Sequence, residues 1–576
     1  MLENAAIADL LDEVADLLEL KKSDSFRIRA YGNAARSVRT LGVRIADLVE
    51  RGADLKQIPG IGATIADEIR QMLATGTTER REKLREGVPP GLLELLRLPG
   101  IGPRKAWDLW TKAQIGSIAD LRAAVDSQRI RALPGMGEKT EESLRKALAN
   151  VAPAESARLF FKDARAHLEA IGRHLDGIDA IVRWEAAGSY RRRRETIGDL
   201  DILIETKDNA ATAAAILAYA GIKEVLGRGE GGVRVKLADG LQVDFRFVEA
   251  AAFGAAQMYF TGSKAHNIEL RQRAMKRKWK LSEYGLFDAD EKRLAGKTEQ
   301  SVYKKLGLPW IAPELREADG EIAAAEKGEL PELIALADLR GDLHAHTTAS
   351  DGRNTIEQMA EAARARGYSY LAITDHSKSL RIANGLDEER MREHAARIRE
   401  VGAGFDGFWL LAGIEVDILA DGAIDLDTEV LGELDWVVAS LHSALDLEQK
   451  AMTERVLAAI RSGVVDCIGH PFARRLDRRG PVKLDFERVV EACVEHGVAL
   501  EINGQPHRLD LPWNCAKAAR AAGVKLVLST DAHRIGELDY MEYAVGEARR
   551  GWVEKKDVLN TMAPAELKRF LKRRRA

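Results

Sequence analysis

The chain has 576 residues, 46% hydrophobic and 31% charged, a composition of folded water-soluble domains that excludes a disordered or membrane-embedded protein. At about 150 residues per domain, this length predicts roughly four domains. A formal net charge of −3 excludes a uniformly basic coat for nucleic acid, so any polyanion surface must be local, as in the basic run from Arg271 to Lys280.

The order of the chain supports a helical start. Leu2, Ile7, Leu10, Leu11, Val14, Leu17 and Leu18 recur at spacings of three and four, the stripe of an amphipathic helix. The stretch has neither the basic start nor the apolar core of an export signal, and no run approaches the about 18 apolar residues of a membrane span. Cys467, Cys493 and Cys515 lie far apart in no metal-type spacing, which predicts a reducing compartment. The expectation is a cytoplasmic, monomeric protein without membrane contact.

A repeat follows: Pro59-Gly60-Ile61-Gly62, Pro99-Gly100-Ile101-Gly102 and Pro134-Gly135-Met136-Gly137, each preceded by an apolar residue and followed by a helical pattern. It resembles the helix-hairpin-helix motif, in which glycines allow close helix approach and the amides opening the second helix face a DNA phosphate. Such contact grips the backbone without reading sequence.

The stretch from Gly188 to Ile204 changes character. Gly188-Ser189, the arginines Arg191 to Arg194 and Gly198 form a cradle for phosphate oxygens. Asp199 and Asp201 lead into an apolar strand. Being two apart, they point the same way, a seat for a divalent ion shared with a nucleoside triphosphate. Leu241 to Val248 alternates like a strand with one buried face and carries Asp244.

These residues resemble the nucleotidyltransferase signature of family X DNA polymerases. The resemblance implies that Asp244 is the third carboxylate for two magnesium or manganese ions and accepts the primer hydroxyl proton. It implies that Gly188, Ser189, Arg192 and Gly198 hold the incoming nucleotide. The run Tyr259-Phe260-Thr261-Gly262-Ser263 resembles the family's sugar-contacting segment, with Asn267 and Arg271 facing the nascent pair; Tyr303 to Glu317 resembles the closing stretch of its thumb. The sequence departs from the family at Arg193, a common glycine position, at Ile197, a triphosphate-contacting serine, and at Lys264, an acidic residue. Glu68 stands where the family's 5′-deoxyribose-phosphate lyase has its lysine, and a carboxylate cannot form an imine, so no lyase activity is expected from that position.

Beyond an acidic linker, seven apolar runs end in polar residues and alternate with helical patterns: Leu343 to His346, Tyr370 to His376, Trp409 to Glu415, Trp436 to His442, Val464 to His470, Val498 to Asn503 and Val524 to His533. Doubly buried strands alternating with helices predict a parallel βα barrel with its chemistry at the strands' C-terminal ends. Those ends carry His344, His346, Asp351, His376, Glu415, His442, His470, Asp531 and His533, donors suited to zinc or manganese. Arg381, Arg474 and Arg475 follow strand ends and could seat a DNA phosphate.

This half resembles the polymerase-and-histidinol-phosphatase (PHP) domain, a distorted seven-stranded barrel holding three ions. The implied grouping places His344, His346 and Asp531 on one ion and His442 and His470 on a second. Glu415 bridges these two, and Asp351, His376 and His533 hold the third. The expected chain is therefore a multidomain α+β and α/β protein. Its parts would be a helical DNA-binding domain (1–85), a fingers-like helix-hairpin-helix region (86–154), a palm (155–255), a thumb (256–317), a linker (318–338) and a PHP domain (339–576). It would fill gapped or nicked DNA from dNTPs and trim 3′ ends, leaving 3′-phosphatase and abasic-site cleavage open. The alternative makes one half a non-catalytic scaffold.

Overall fold

The computed structural model describes residues 4–149, apart from 22, 43, 90, 97, 99, 100, 134 and 135, and residues 158–575. The chain divides into two compact units, residues 1–156 and 157–576. Among the described residues no helix is long and apolar enough to cross a membrane.

The first unit is helical. The helix Asn4–Leu20 buries Ile7, Leu11, Val14 and Leu18 against Tyr31, Ala34 and Val38 of the helix Ser25–Thr40; Leu2 lies outside the described residues. The sequence repeat is also a repeat of geometry. Ile61 N–H donates to Ile58 O, Ile101 N–H to Leu98 O and Met136 N–H to Leu133 O, at 3.1, 3.1 and 3.0 Å. Each turn buries its middle residue and feeds a helix, Ala63–Thr75, Pro103–Ala113 or Glu138–Ala149. Gly62 and Gly102 have nearly the same backbone, φ/ψ of −90/174° and −88/171°. A Cβ on Gly62, Gly102 or Gly137 would meet nothing within 4 Å, so each helix start is open to a phosphate. Gly100 and Gly135 lie outside the described residues.

The second unit opens with a five-stranded sheet: β1 (Ile181–Ala186), β2 (Asp199–Thr206), β3 (Ile222–Gly229), β4 (Gly232–Leu237) and β5 (Gln242–Phe247), in the order β1-β2-β5-β4-β3. The crossover makes β2 and β5 parallel neighbours, with Asp201 opposite Asp244. The expected single buried face of β5 is not seen: Val243, Asp244 and Phe245 are all buried, because one side packs on the helix-backed core and the other looks into the site. Helices Phe253–Thr261 and Lys264–Met275, a small antiparallel sheet and the helix Glu299–Lys305 follow. The acidic segment contains the helix Glu321–Lys327.

The rest is a parallel barrel of β6 (Gly341–Asp342), β7 (Tyr370–Ile373), β8 (Trp409–Asp417), β9 (Trp436–Ser440), β10 (Cys467–Ile468), β11 (Ala499–Asn503) and β12 (Leu526–Ser529), paired in chain order. A single bridge between Ala345 and Ala532 brings its first and last strands together. The strands are shorter than the apolar runs. Most metal-type residues sit just past their ends, where backbone leaves the extended region: His470 has φ 27° and Asp531 φ 52°. Left-handed backbone at a non-glycine residue costs about 1–3 kcal/mol and persists where surrounding structure enforces it, commonly at functional sites.

Candidate functional site

Two pockets gather most of the residues singled out by sequence; Asp244, His344 and His346 are buried beside them and are not among their lining residues. The first is a cleft of about 540 Å³ lined by Gly188, Ser189, Arg192, Arg194, Asp199, Asp201, Tyr259, Phe260, Gly262, Lys264, Asn267 and Arg271, a volume within the about 300–1,000 Å³ typical of small-molecule sites. Gly188 is required by contact as well as by its φ of +63°, since a Cβ there would lie 2.8 Å from Asp201 Oδ2. Gly198 is not among the cleft's lining residues; it lets Arg158 pass, whose Nη1 would lie 2.9 Å from a Cβ. Asn267 Nδ2 donates to Tyr259 O at 2.6 Å and Arg271 lies over the Tyr259 ring.

The carboxylates fit a divalent ion. Burial, then Asp199, pushes the Asp201 carboxyl up to about 6, and burial with Asp244 also raises Asp199. A cation would remove both penalties. Arg246 lies 3.5 Å from Asp201 and 3.0 Å from Asp244, and Arg234 Nε donates to Asp244 at 2.7 Å. Arg246 lies two residues beyond Asp244 on the same strand, a spacing that could have flagged it.

The four arginines do not act as one cradle. Only Arg192 and Arg194 line the cleft. Arg191 makes two 2.8 Å bonds to buried Glu299, which also receives Arg316 at 2.7 and 3.1 Å. Burial opposes the Glu299 charge, but the two guanidiniums outweigh it and hold the carboxyl down at about 2. Arg193 has φ +53°, which explains a glycine preference at its position. Its side chain runs against the barrel helix Met541–Arg550, where a Cβ on Gly546 would lie 2.9 Å from its Cδ. Ile197 is fully buried in the palm core and makes no polar contact with a phosphate. Arg474 does not seat a DNA phosphate: it is buried, donates to Glu195 at 2.7 Å and to Leu509 O, and fastens palm to barrel. Glu68 is buried beneath Tyr31 and Arg80, at 2.8 and 2.7 Å, a packing role.

The second pocket, about 370 Å³, opens at the barrel mouth. Asp351, His376, Glu415, His442, His470, Asp531 and His533 line it with Leu380, Arg475, Gln505, His507, Arg508 and Glu537. Three donor groups form: His344, His346 and Asp531; His346, Asp351, His376 and His533; and His376, Glu415 and His442. The first matches the expected grouping. The others differ from it, because His346 also faces the Asp351 group and His376 reaches Glu415 Oε2 at 2.8 Å. His470 approaches the other Glu415 oxygen at 3.1 Å and His442 at 3.5 Å. Each oxygen of Glu415 thus serves a different set of imidazoles, the geometry a bridging ligand needs.

The donor atoms of this centre fit a cation. His344 Nε2 and both His346 ring nitrogens are buried without a hydrogen-bond partner, and the 2.8 Å approach of His376 Nδ1 to Glu415 Oε2 lacks hydrogen-bond geometry, a cost native folds avoid unless something else binds. Burial opposes charge on His344, yet Glu501, Glu415 and Asp531 outweigh it and hold its pKa well above the usual range. His533 rises to about 9 as Asp351 and Asp531 overcome its burial. Buried His346, beside His533 and His376, falls to about 4. A folded pKa above that of an unfolded imidazole, about 6.5, gives stability complete below that pH and lost as pH climbs through 9. Chelated protein should therefore melt at falling temperature from about pH 6.5 to 9 in scanning calorimetry, and added Mn²⁺ should flatten the trend. A flat profile in chelator contradicts this account.

Neighbouring polar residues orient the ligands; of these, Asn503 ends a strand as a mouth-lining residue would, while Glu501 and Asp417 are not singled out by sequence. Glu501 Oε1 sits 2.6 Å from His344 Nδ1, Asp417 Oδ1 sits 2.9 Å from His442 Nδ1, and Asn503 donates to Asp531 at 3.1 Å. Such partners fix tautomer and ring direction. Asp417 lies two residues beyond Glu415, and Glu501 two before Asn503, on the same strand faces. His394 bonds Asp375 at 2.8 Å, and His507 lines the mouth.

Comparisons with known proteins identify the parts of the chain. Residues 158–228 match the DNA polymerase beta palm, 256–317 the DNA polymerase beta thumb, 2–78 a helix-hairpin-helix domain, 92–150 a SAM-like helix-hairpin-helix tandem and 342–505 the PHP domain. Asp244, Asp531 and His533 lie outside the matched spans, and the sheets bring them in. The chain is 37% identical over 570 residues to the DNA polymerase/3′-5′ exonuclease PolX of Bacillus subtilis, covering 98% of this chain and 99% of that protein. The chain is also similar to a probable phosphatase of Shewanella oneidensis, 35% identical over 33% of this chain and 75% of that protein. A probable phosphatase of a Thermoanaerobacter species is 30% identical over 41% and 95%.

Proposed function

The chain belongs to the PolX family of DNA polymerases, and from that premise we propose that it fills short gaps in DNA from dNTPs at the palm and trims 3′ ends at the barrel. What supports the reading is the pairing, within one compact unit, of two separate pockets: one beside the paired strands that carry Asp201 and Asp244, and one where eight imidazole and carboxylate groups gather in three donor clusters, with His470 3.1 Å from Glu415.

Asp199, Asp201 and Asp244 would hold magnesium or manganese, which supplies charge neutralisation at the attacking and leaving oxygens. Arg192 and Arg194 orient the triphosphate, Gly188 and Ser189 let it approach the backbone, and Tyr259 with Phe260 forms the wall for the sugar. Asp244, paired with Asp201 across the two strands, would take the primer hydroxyl proton. In the barrel, His344, His346, Asp351, His376, Glu415, His442, His470, Asp531 and His533 would hold up to three zinc or manganese ions, which furnish a hydroxide near neutral pH. Glu501 and Asp417 keep their imidazoles aimed inward. The hairpin glycines grip the flanking backbone without sequence preference.

The test is an end-labelled primer on gapped DNA with chelated protein, then Mg²⁺ or Mn²⁺, with and without dNTPs. The label should lengthen with dNTPs and shorten without them, and remain unchanged in chelator. Neither change with either ion overturns the reading.

A further inference from the structure

The barrel mouth carries an apolar knob that the chemistry so far leaves unused. Ile382 is 96% exposed, more than any other large apolar side chain among the described residues. Single exposed hydrophobes are ordinary, but this one sits on a braced turn. It lies in the 3₁₀ turn Arg381–Ala383, which follows the ligand His376 by a few residues. Leu386 N–H donates back to His376 O at 2.8 Å, Ser379 N–H donates to Asp425 at 2.9 Å, and Asn384 Nδ2 donates to Ala349 O at 3.0 Å. Arg390 caps Asn384 O and Gly385 O at 3.1 and 2.9 Å. Gly385 packs so tightly that a Cβ would fall 1.9 Å from Ser377 O. The turn therefore holds its isoleucine outward by design of the loop, and Ala383 behind it is buried.

Its surroundings select a ligand. Leu380, on the same loop, lines the ion pocket, and Arg475 and Arg508 line it too; Arg381 beside Ile382 is exposed. An apolar point flanked by guanidiniums matches bases flanked by phosphates. The pocket's volume of about 370 Å³ suits one nucleotide and not a base pair, so a duplex end must open before its strand can enter. Apolar side chains inserted at a base step are a known physical means of unstacking it.

We propose that Ile382 is a positioning residue, a wedge that parts the terminal base pair of duplex DNA and directs the 3′ strand into the ion pocket. The inference rests on the 3′-trimming reading above. Ile382→Asp, a surface change that leaves ligands and fold intact, should slow trimming of blunt or recessed duplex ends by about tenfold and trimming of a single-stranded oligonucleotide by less than about twofold. Primer extension should be unchanged. A duplex with 2-aminopurine at its 3′ terminus and a phosphorothioate last linkage should brighten on binding the unaltered protein and stay dim with the variant. Equal rates on both substrates, equal slowing of both, or no brightening with the unaltered protein overturns the wedge while single-strand trimming stands. An unaltered protein that trims neither substrate overturns the trimming reading itself.

Discussion

Asp201→Asn is expected to lower primer extension by roughly a thousandfold, about 4 kcal/mol of transition-state stabilisation, while 3′ trimming in the same preparation stays within about twofold. The substitution keeps shape and removes charge. Asp201 lies beside Asp244 in the parallel pairing of β2 and β5 and shares its face with Asp199, so the loss falls on the ion seat. Arg192 and Arg194 remain in the cleft, and nucleotide affinity should change far less than turnover. The stability sign separates this from simple damage. The Asp201 carboxyl is raised to about 6 by burial and by Asp199. A raised carboxyl contributes stability that is present below the unfolded pKa and lost as pH rises through about 6. Above that pH the ionised group is a liability, and neutral asparagine relieves it. Ion-free D201N should therefore melt no lower, and slightly higher, than the parent at pH 8. A variant that loses extension together with a fall in melting temperature would mean that Asp201 is structural.

The sequence made the architecture legible wherever a short pattern carries its own physics. Three Pro-Gly-x-Gly repeats announced three like turns, and the described parts of all three share one hydrogen bond. The Asp199-x-Asp201 spacing implied one face, and seven apolar runs ending in donors implied a barrel mouth. What failed to show was commitment between distant residues. A run of four arginines looks like one cradle, yet Arg191 is claimed by Glu299, 108 positions away, and Arg193 turns to the barrel helix. Arg474 follows a strand end as a phosphate-binding arginine would, and is claimed by Glu195. Strand ends were overrun for a related reason. The left-handed backbone at His470 and Asp531 is imposed by packing around the centre, and no residue preference announces it. Glu501 and Asp417 were hidden because a carboxylate inside an apolar run has meaning only once its histidine is known.

Glu415→Gln is expected to cut 3′ trimming by roughly a thousandfold and to leave primer extension within about twofold. Glu415 faces both sides of the barrel centre with separate oxygens. Oε2 lies 2.8 Å from His376 and 3.5 Å from His344, and Oε1 lies 3.1 Å from His470 and 3.5 Å from His442. An amide replaces one of these oxygens with a nitrogen that carries protons and cannot ligate. The remaining oxygen serves one set of imidazoles and the other set loses its bridge. Stability should move opposite to the palm variant. Burial opposes charge on Glu415, but His376, His344 and His442 outweigh it and hold the carboxyl well below its usual range. Its contribution is thus present above the unfolded carboxyl pKa and lost only in strong acid. Removing it strands buried imidazolium charge, and breaking a buried pair from one side costs about 3–5 kcal/mol. Chelated E415Q should melt well below the parent at neutral pH, and added Mn²⁺ should recover less of the difference than in the parent. Trimming that survives in E415Q, or a melting temperature in chelator equal to the parent's, would remove Glu415 from the centre of this barrel.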